Sequence, residues 1–144
     1  MDADASITED QIAMLIPRFY ESVRADAMIG PVFAGAIDRW PPHLETLIAF
    51  WSSVMLTSGR YKGNPMAAHM KHLAVITPPM FDSWLALWAQ VTAETLPVGI
   101  ARELQAKANR IAQSLKLALY FRLPPRGTPV IVNVPTGTPV IGGA

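Results

Sequence analysis

Residues 40–55 read WPPHLETLIAFWSSVM, and the fold prediction starts from the pattern in this stretch. Its apolar residues recur every three or four positions, as on one face of an α-helix. They are Leu44, Leu47, Ile48, Trp51, Val54 and Met55. Pro41 and Pro42 favour a helix start at Trp40, because the first helical turn leaves its amide hydrogens unpaired anyway. The stretch therefore predicts an amphipathic helix that buries one face.

The same spacing recurs along the chain and predicts an all-α domain over residues 7–121. Three further apolar faces carry it: Ile12, Leu15, Ile16, Phe19 and Val23; Phe81, Trp84, Leu85, Trp88 and Val91; and Ile100, Leu104, Ala108, Ile111, Leu115 and Leu119. A helix of about two turns is predicted over residues 66–72. Residues 32–37 are predicted to be a short apolar connection.

Capping and proline signals predict where these helices begin and end. The capping-box pattern occurs twice before the first helix, from Ser6 and from Thr8. Pro17 lies inside that helix and is expected to kink it or to split it in two. Thr77 followed by two prolines marks another helix start, and Pro97 with Gly99 marks a break.

The last segment, residues 122–144, differs in composition from the rest. It holds five of the 13 prolines and four of the nine glycines, and the motif GTPVI occurs in it twice, at 127–131 and at 137–141. A helix does not form through so many breakers, so we expect a non-helical, mobile tail. The β-branched run at 130–132 leaves open an extended arm or a strand paired with another chain.

The composition excludes several classes of function. The 144 residues are 51% hydrophobic and carry a net charge of +1, which gives no electrostatic basis for binding nucleic acid or an anionic membrane. The chain has no cysteine, so it has no disulfide and no thiolate chemistry. The acidic start at residues 1–4 is unlike a targeting segment, and no apolar run is long enough to span a membrane. We expect a soluble, cytoplasmic protein.

Histidine chemistry has three candidates, His43, His69 and His72. The spacing of His69 and His72 would suit zinc, but no nearby acidic residue supplies the third ligand that a zinc site needs. From the residues alone, each histidine is more simply a side chain without a ligand role. Tyr20 and Trp84 each carry one strong hydrogen-bond donor, which would need an acceptor if buried and which a ligand could supply.

Several motifs, taken in order, resemble the group III truncated haemoglobins. They are Phe19-Tyr20-Glu21-Ser22-Val23-Arg24; Ile29-Gly30-Pro31-Val32-Phe33; Trp40-x-x-His43; Phe50-Trp51-Ser52-Ser53; Arg60-Tyr61-x-Gly63-x-Pro65-Met66-x-x-His69; Phe81-x-x-Trp84-Leu85; and Ala108-x-Arg110-Ile111-Ala112-x-Ser114-Leu115. The resemblance covers residues 7–121 without a large gap. Pro17 and the segment 122–144 depart from the family's pattern.

The resemblance implies a 2-on-2 helical sandwich around haem b, and it assigns roles to residues of this chain. His69 matches the proximal iron ligand, with His72 as a competitor. The distal positions match Tyr20, Trp84, His43 and Leu47, and Phe33 matches the aromatic residue on the porphyrin. Leu47, Phe50, Met66, Ile111 and Leu115 would surround a flat apolar cofactor. Arg60, Tyr61 and Lys62 could meet a haem propionate.

The implied function is the binding of O₂, and of NO and CO, at the haem iron, with distal hydrogen bonds that slow O₂ release. An alternative is a haem enzyme that oxidises NO or reduces peroxide. Because the chain carries no NAD(P)H motif, such an enzyme would need an external reductase. A third possibility is a haem-free helical interaction module, in which His69 has no ligand role.

Overall fold

The computed structural model describes residues 6–120, which form six α-helices. They are α1 (Glu9–Ala25), α2 (Gly30–Ala36), α3 (Trp40–Leu56), α4 (Pro65–Met70), α5 (Pro78–Thr95) and α6 (Val98–Tyr120). Residues 6–120 contain no β-strand, so the all-α prediction is confirmed. The predicted tail at 122–144 lies outside the described residues.

Helix α1 begins at the second of the two predicted capping boxes. Thr8 Oγ1 accepts the amide hydrogen of Gln11 at 3.1 Å, and Gln11 Oε1 accepts that of Thr8 at 2.9 Å. The two bonds satisfy amides that the first helical turn would leave unpaired. Helix α1 therefore starts after Thr8 and not after Ser6.

Pro17 does not split α1, which runs from Glu9 to Ala25 as one helix. Proline lacks the amide hydrogen that would bond to the carbonyl of Ala13, four residues earlier. Both Pro17 and Ala13 are exposed, so water can satisfy that carbonyl. Because Pro17 lies on the exposed side of α1, the buried face of the helix continues past it without a break.

The predicted connection at 32–37 is wrong, because these residues belong mainly to helix α2. Pro31 lies in the first turn of α2, where proline is well tolerated, and so it begins a helix there. Asp26 Oδ2 accepts the amide hydrogens of Met28 and Ile29 at 2.9 Å each and closes the preceding turn. A Cβ at Gly30 would lie 2.7 Å from the carbonyl oxygen of Arg24, so this corner requires glycine.

A loop over residues 57–64 joins α3 to the short helix α4. Helix α3 ends at Leu56 and is followed by Thr57, whose φ of 51° is in the left-handed region. Asn64 Oδ1 then caps α4 by accepting the amide hydrogen of Ala67 at 3.1 Å. Helix α4 ends at Met70, two residues before the predicted end.

The helices pack as two pairs. Helix α1 packs against α3, α5 packs against α6, and the contact between α1 and α5 joins the pairs. The short helix α2 packs on α1, and α4 packs on α6. Two packed helix pairs agree with the 2-on-2 sandwich that the resemblance implies, and α4 lies at the edge of the α5–α6 pair.

Trp88 lies at the centre of the core and is fully buried. Its ring stacks with those of Trp51 and Trp84, at centroid distances of 4.5 and 5.2 Å. The ring of Phe19 meets it edge-on at 4.8 Å. Its Nε1 donates a hydrogen bond to the carbonyl of Leu104 at 3.1 Å. One side chain thereby contacts residues of α1, α3 and α6 from its place on α5.

A second, smaller cluster lies toward α4 and consists of Phe81, Ala112, Leu115 and Leu119. Met66 of α4 packs against it. Leu85 and Ile111 pack against both this cluster and the main core. These two residues therefore mark where the main core and the α4 side of the molecule meet.

We expect Trp88→Ala to lower the free energy of unfolding by about 3–5 kcal/mol, because it removes three ring contacts and leaves a cavity. Urea unfolding followed by circular dichroism measures this. Leu117→Ala is the control, since Leu117 is 62% exposed on α6 and its truncation should cost under about 0.5 kcal/mol. A loss for Trp88→Ala as small as for the control would show that Trp88 is not the centre of the core.

Candidate functional site

His69 lies on α4, and a hydrogen bond to the start of that helix fixes its ring. Its Nδ1 is 2.7 Å from the carbonyl oxygen of Pro65, one turn earlier. A carbonyl oxygen can only accept, so Nδ1 carries the proton and donates it. The other ring nitrogen, Nε2, is then left unprotonated in the neutral ring. His69 therefore presents one nitrogen that can bind a metal.

The ring of Phe81 supports the imidazole of His69. The two rings stack at a centroid distance of 6.2 Å with 25° between their planes. Phe81 belongs to the second cluster and meets Tyr120 edge-on. Tyr120 in turn donates a hydrogen bond from its hydroxyl to the carbonyl of Ile76 at 2.9 Å. The half-buried histidine thus lies against a packed aromatic surface.

Tyr20 and Trp84, which the resemblance assigns to the distal side, contact each other in the structure. Trp84 Nε1 donates to the hydroxyl oxygen of Tyr20 at 3.4 Å, a long hydrogen bond. The ring of Phe19 contacts both rings edge-on, at 4.7 and 5.0 Å. Helices α1 and α5 therefore bring the two donors together.

The hydroxyl proton of Tyr20 has no acceptor among residues 6–120. The Tyr20 side chain is only 4% exposed, and burial raises the pKa of its phenol well above the ordinary value of 10.0. The hydroxyl is therefore protonated and buried, and it accepts from Trp84 without donating in return. A buried donor without an acceptor is uncommon in folded proteins, and it favours a ligand at this position.

Aromatic contacts extend from Tyr20 toward His43. The rings of Phe33 and Trp40 lie 5.7 and 5.9 Å from that of Tyr20, and the ring of His43 meets Trp40 edge-on at 5.6 Å. Burial lowers the pKa of His43 below its usual range, so the ring is neutral at pH 7. Leu47 is half-buried one turn further along α3.

Residues 60–62 lie in the loop before α4, away from Tyr20. Arg60 Nη1 forms a salt bridge with Glu9 Oε1 at 2.7 Å. The ring of Tyr61 meets Phe50 edge-on at 5.1 Å, and Lys62 is exposed. The structure thus groups Phe50 with this loop, whereas Leu115 belongs to the second cluster and Met66 and Ile111 pack against that cluster.

The described residues favour His69 over His72 as a metal ligand. Within residues 6–120, no hydrogen bond holds a ring nitrogen of His72 or His43 as Pro65 holds Nδ1 of His69. The same part of the chain contains no group of three or more histidine or acidic residues that could bind a metal ion, so a zinc site is not supported. A cofactor that brings most of its own metal ligands fits a single histidine.

Two surface clefts open near these residues. The larger, about 1060 Å³, lies between α1, α2 and α3 and has Tyr20, Trp40 and Leu44 in its lining. The smaller, about 510 Å³, lies beside the loop before α4 and includes Arg60 and Tyr61. His69 lines neither cleft.

None of the helices within residues 6–120 combines the length and the apolar character that a membrane span needs.

Sequence reasoning missed the residues that support the site. The sequence places Phe81 and Phe19 on apolar helix faces and in motifs of the resemblance, but neither pattern shows which member of a face contacts a functional side chain. The carbonyl of Pro65 could have been found, because it lies four residues before His69 in a segment predicted to be helical. The salt bridge between Glu9 and Arg60 joins residues 51 apart and has no local signal.

Comparison with known proteins adds to this geometry. No family model matches the chain. A curated group 3 truncated haemoglobin from Campylobacter jejuni is 29% identical over 123 residues, which span 80% of this chain and 93% of that protein. The crystal structure of a group III truncated haemoglobin from Campylobacter jejuni matches with a TM-score of 0.73 and 29% identity, over 81% of this chain and 94% of that one.

The buried Tyr20 phenol should make stability depend on pH in alkaline solution. Its pKa is raised in the folded state, so its contribution to stability is complete below pH 10.0 and declines as the pH rises above that value toward the folded-state pKa. Urea unfolding between about pH 9 and 11 should show a steeper loss of stability for the wild type than for Tyr20→Phe. Parallel curves for the two proteins would contradict a buried, protonated Tyr20.

Proposed function

The chain has the sequence pattern and the fold of a group III truncated haemoglobin, and from that premise we propose that it binds haem b and, at the haem iron, O₂. NO and CO are further ligands of the proposed site. His69 carries the proposal, since its ring is fixed by Pro65 with one nitrogen left to bind a metal. When bound, haem supplies an iron with an open position for a diatomic ligand.

His69 is the proposed iron ligand. The donation from Nδ1 to Pro65 selects the tautomer in which the lone pair of Nε2 is free to bind a metal. Phe81 restricts rotation of the ring through its stacking contact. The histidine is therefore oriented before any cofactor binds, which reduces the entropy that binding would cost.

The apolar residues that the resemblance assigns to the cofactor are largely half-buried. Phe33, Leu47, Phe50, Met66 and Ile111 fall in this class, whereas Leu115 is buried. Leu85 and Ile111 lie where the main core meets the second cluster. The partly exposed apolar side chains of the core and of the cluster offer surface that a flat apolar molecule would bury. This supports a haem site between the main core and the cluster around Phe81.

Tyr20 and Trp84 are the proposed distal donors. Trp84 donates to the Tyr20 oxygen, which polarises the Tyr20 hydroxyl and makes it a stronger donor. A diatomic ligand that carries negative charge would accept the otherwise unpaired Tyr20 proton. Such a bond is worth about 1.5–3 kcal/mol, which corresponds to roughly 10–100-fold slower release.

His43 is the proposed third distal residue. It lies in the first turn of α3 and contacts Trp40, whose ring contacts Tyr20. Because burial lowers its pKa, His43 is neutral at pH 7 and adds no charge next to the distal donors. With Leu47 it would limit the access of water to a bound ligand.

No observation in residues 6–120 favours the alternatives of NO dioxygenation or peroxide reduction, which require an external reductase. The haem-free module is disfavoured, because it leaves the fixed tautomer of His69 and the unpaired proton of Tyr20 without a role. A cytoplasmic location stays a prediction from the sequence.

Replacement of the proposed ligand should abolish stable haem binding. We expect His69→Gly to lose the strong Soret band after reconstitution with haem and to recover it when imidazole is supplied, because free imidazole can take the place of the missing side chain. His72→Gly is the matched control and should keep the band. Loss of haem from His72→Gly but not from His69→Gly would reverse the assignment.

Removal of the distal hydroxyl should speed O₂ release. We expect Tyr20→Phe to raise the O₂ dissociation rate constant by about 10–100-fold, with a smaller change for CO, which carries less charge. Stopped-flow ligand replacement measures both. Tyr120→Phe removes a hydroxyl in the second cluster and should leave the O₂ rate unchanged. An unchanged rate in Tyr20→Phe would exclude Tyr20 as a distal donor.

A further inference from the structure

Four polar residues join the start of α1 to the end of α3 and the loop that follows; we call them the Glu9 network. Glu9 Oε1 accepts from Arg60 Nη1 at 2.7 Å, and Glu9 Oε2 lies 2.7 Å from Ser52 Oγ. Ser52 Oγ is also 2.7 Å from Ser58 Oγ, which accepts the amide hydrogen of Arg60 at 3.3 Å. Both ends of Arg60 are therefore bonded within the network.

Ser52 makes this network more than a surface ion pair. Its side chain is fully buried, and its single hydroxyl proton goes to the carboxylate, which is the stronger acceptor. Ser58 can then donate to Ser52. Glu9 and Arg60 are each 46% exposed, so their pair alone would contribute little. The buried hydroxyl fixes one carboxylate oxygen and so orients the other toward Arg60.

The network continues along the chain to His69. The amide of Tyr61, next to Arg60, donates to Ser53 Oγ at 2.9 Å. Three residues later Asn64 caps α4, and Pro65 then holds Nδ1 of His69. The loop that carries Arg60 therefore ends at the residues that orient the imidazole. Helix α4 has only six residues, so its position depends on that loop and on its packing.

We propose that Arg60 is a positioning residue, which acts through Glu9 and Ser52 to hold the loop before α4 and thereby His69, and that it does not bind a haem propionate. The inference rests on the proposed haem site, since it concerns the residue that would bind the iron. The anchoring of the loop by Glu9 is a property of the protein itself, and it can therefore be tested without haem.

A double-mutant cycle of Glu9→Gln and Arg60→Gln tests the proposal in the haem-loaded protein. Haem transfer to an excess of apomyoglobin gives the rate of haem loss. Because each substitution removes the same charged pair, we expect each alone to speed haem loss about two- to fivefold and the double variant to add nothing further. Arg102→Gln, an exposed residue of α6, is the control and should leave the rate unchanged.

A partner of the propionate would behave differently in the same cycle. Arg60→Gln would then speed haem loss and Glu9→Gln would not, because Glu9 carries the same sign of charge as the propionate. That result overturns the proposal, as does the absence of any effect from Arg60→Gln.

A second measurement distinguishes failure of the inference from failure of the haem proposal. In the haem-free protein, hydrogen exchange at the amides of Tyr61 and Ala67 reports on the loop and on the cap of α4. Both should exchange faster in Glu9→Gln and in Arg60→Gln, with no change at amides near Trp88. Unchanged exchange at Tyr61 and Ala67 contradicts the anchoring whether or not the protein binds haem.

Discussion

The contacts of Trp88 determine how the four long helices meet. Its indole ring stacks with Trp51 of α3 and Trp84 of α5 and meets Phe19 of α1 edge-on. Its single N–H group donates to the backbone carbonyl of Leu104 in α6. A tryptophan at this place satisfies its polar atom and fills the volume at the crossing. Trp84, a proposed distal residue, lies one turn from Trp88 on the same helix, so the packing that builds the core also sets the plane of the Trp84 ring.

The site combines two levels of rigidity. Tyr20 and Trp84 lie on long helices within the main core, and neither can turn without disturbing Phe19. His69 lies on a six-residue helix at the edge of the α5–α6 pair, fixed by one carbonyl, one ring contact and the loop before it. The proposed distal residues are thus held by the packing of long helices, whereas the proposed iron ligand is held mainly by local bonds.

The fold was largely predictable, because the apolar faces of α1, α3, α5 and α6 repeat at helical spacing and prolines mark the predicted starts of α3 and α5. The prediction was wrong where the same residue type is compatible with two different local structures. Gly30 followed by Pro31 signals a turn, but the same proline also suits the first turn of a helix, and α2 begins there. Pro17 signals a break, but it lies on the solvent side, where a missing hydrogen bond costs little.

Within the site, the meeting of Tyr20 and Trp84 came from the resemblance and not from spacing, since these residues are 64 apart. The partner of Arg60 could not be predicted at all, because a salt bridge between distant segments leaves no trace in local sequence. A hydrogen bond between residues close in sequence, such as that of His69 to Pro65, can be predicted from helical spacing, whereas contacts between helices cannot.

The shortness of α4 has a thermodynamic consequence. Six residues are fewer than a peptide needs to form a stable helix in water. The free energy of helix nucleation is unfavourable, and so few backbone hydrogen bonds do not offset it. Any molecule that coordinates His69 therefore stabilises the helix as well as occupying the site. Ligand binding and local folding become one linked equilibrium, in which the free concentration of the ligand shifts the population of the ordered α4 segment.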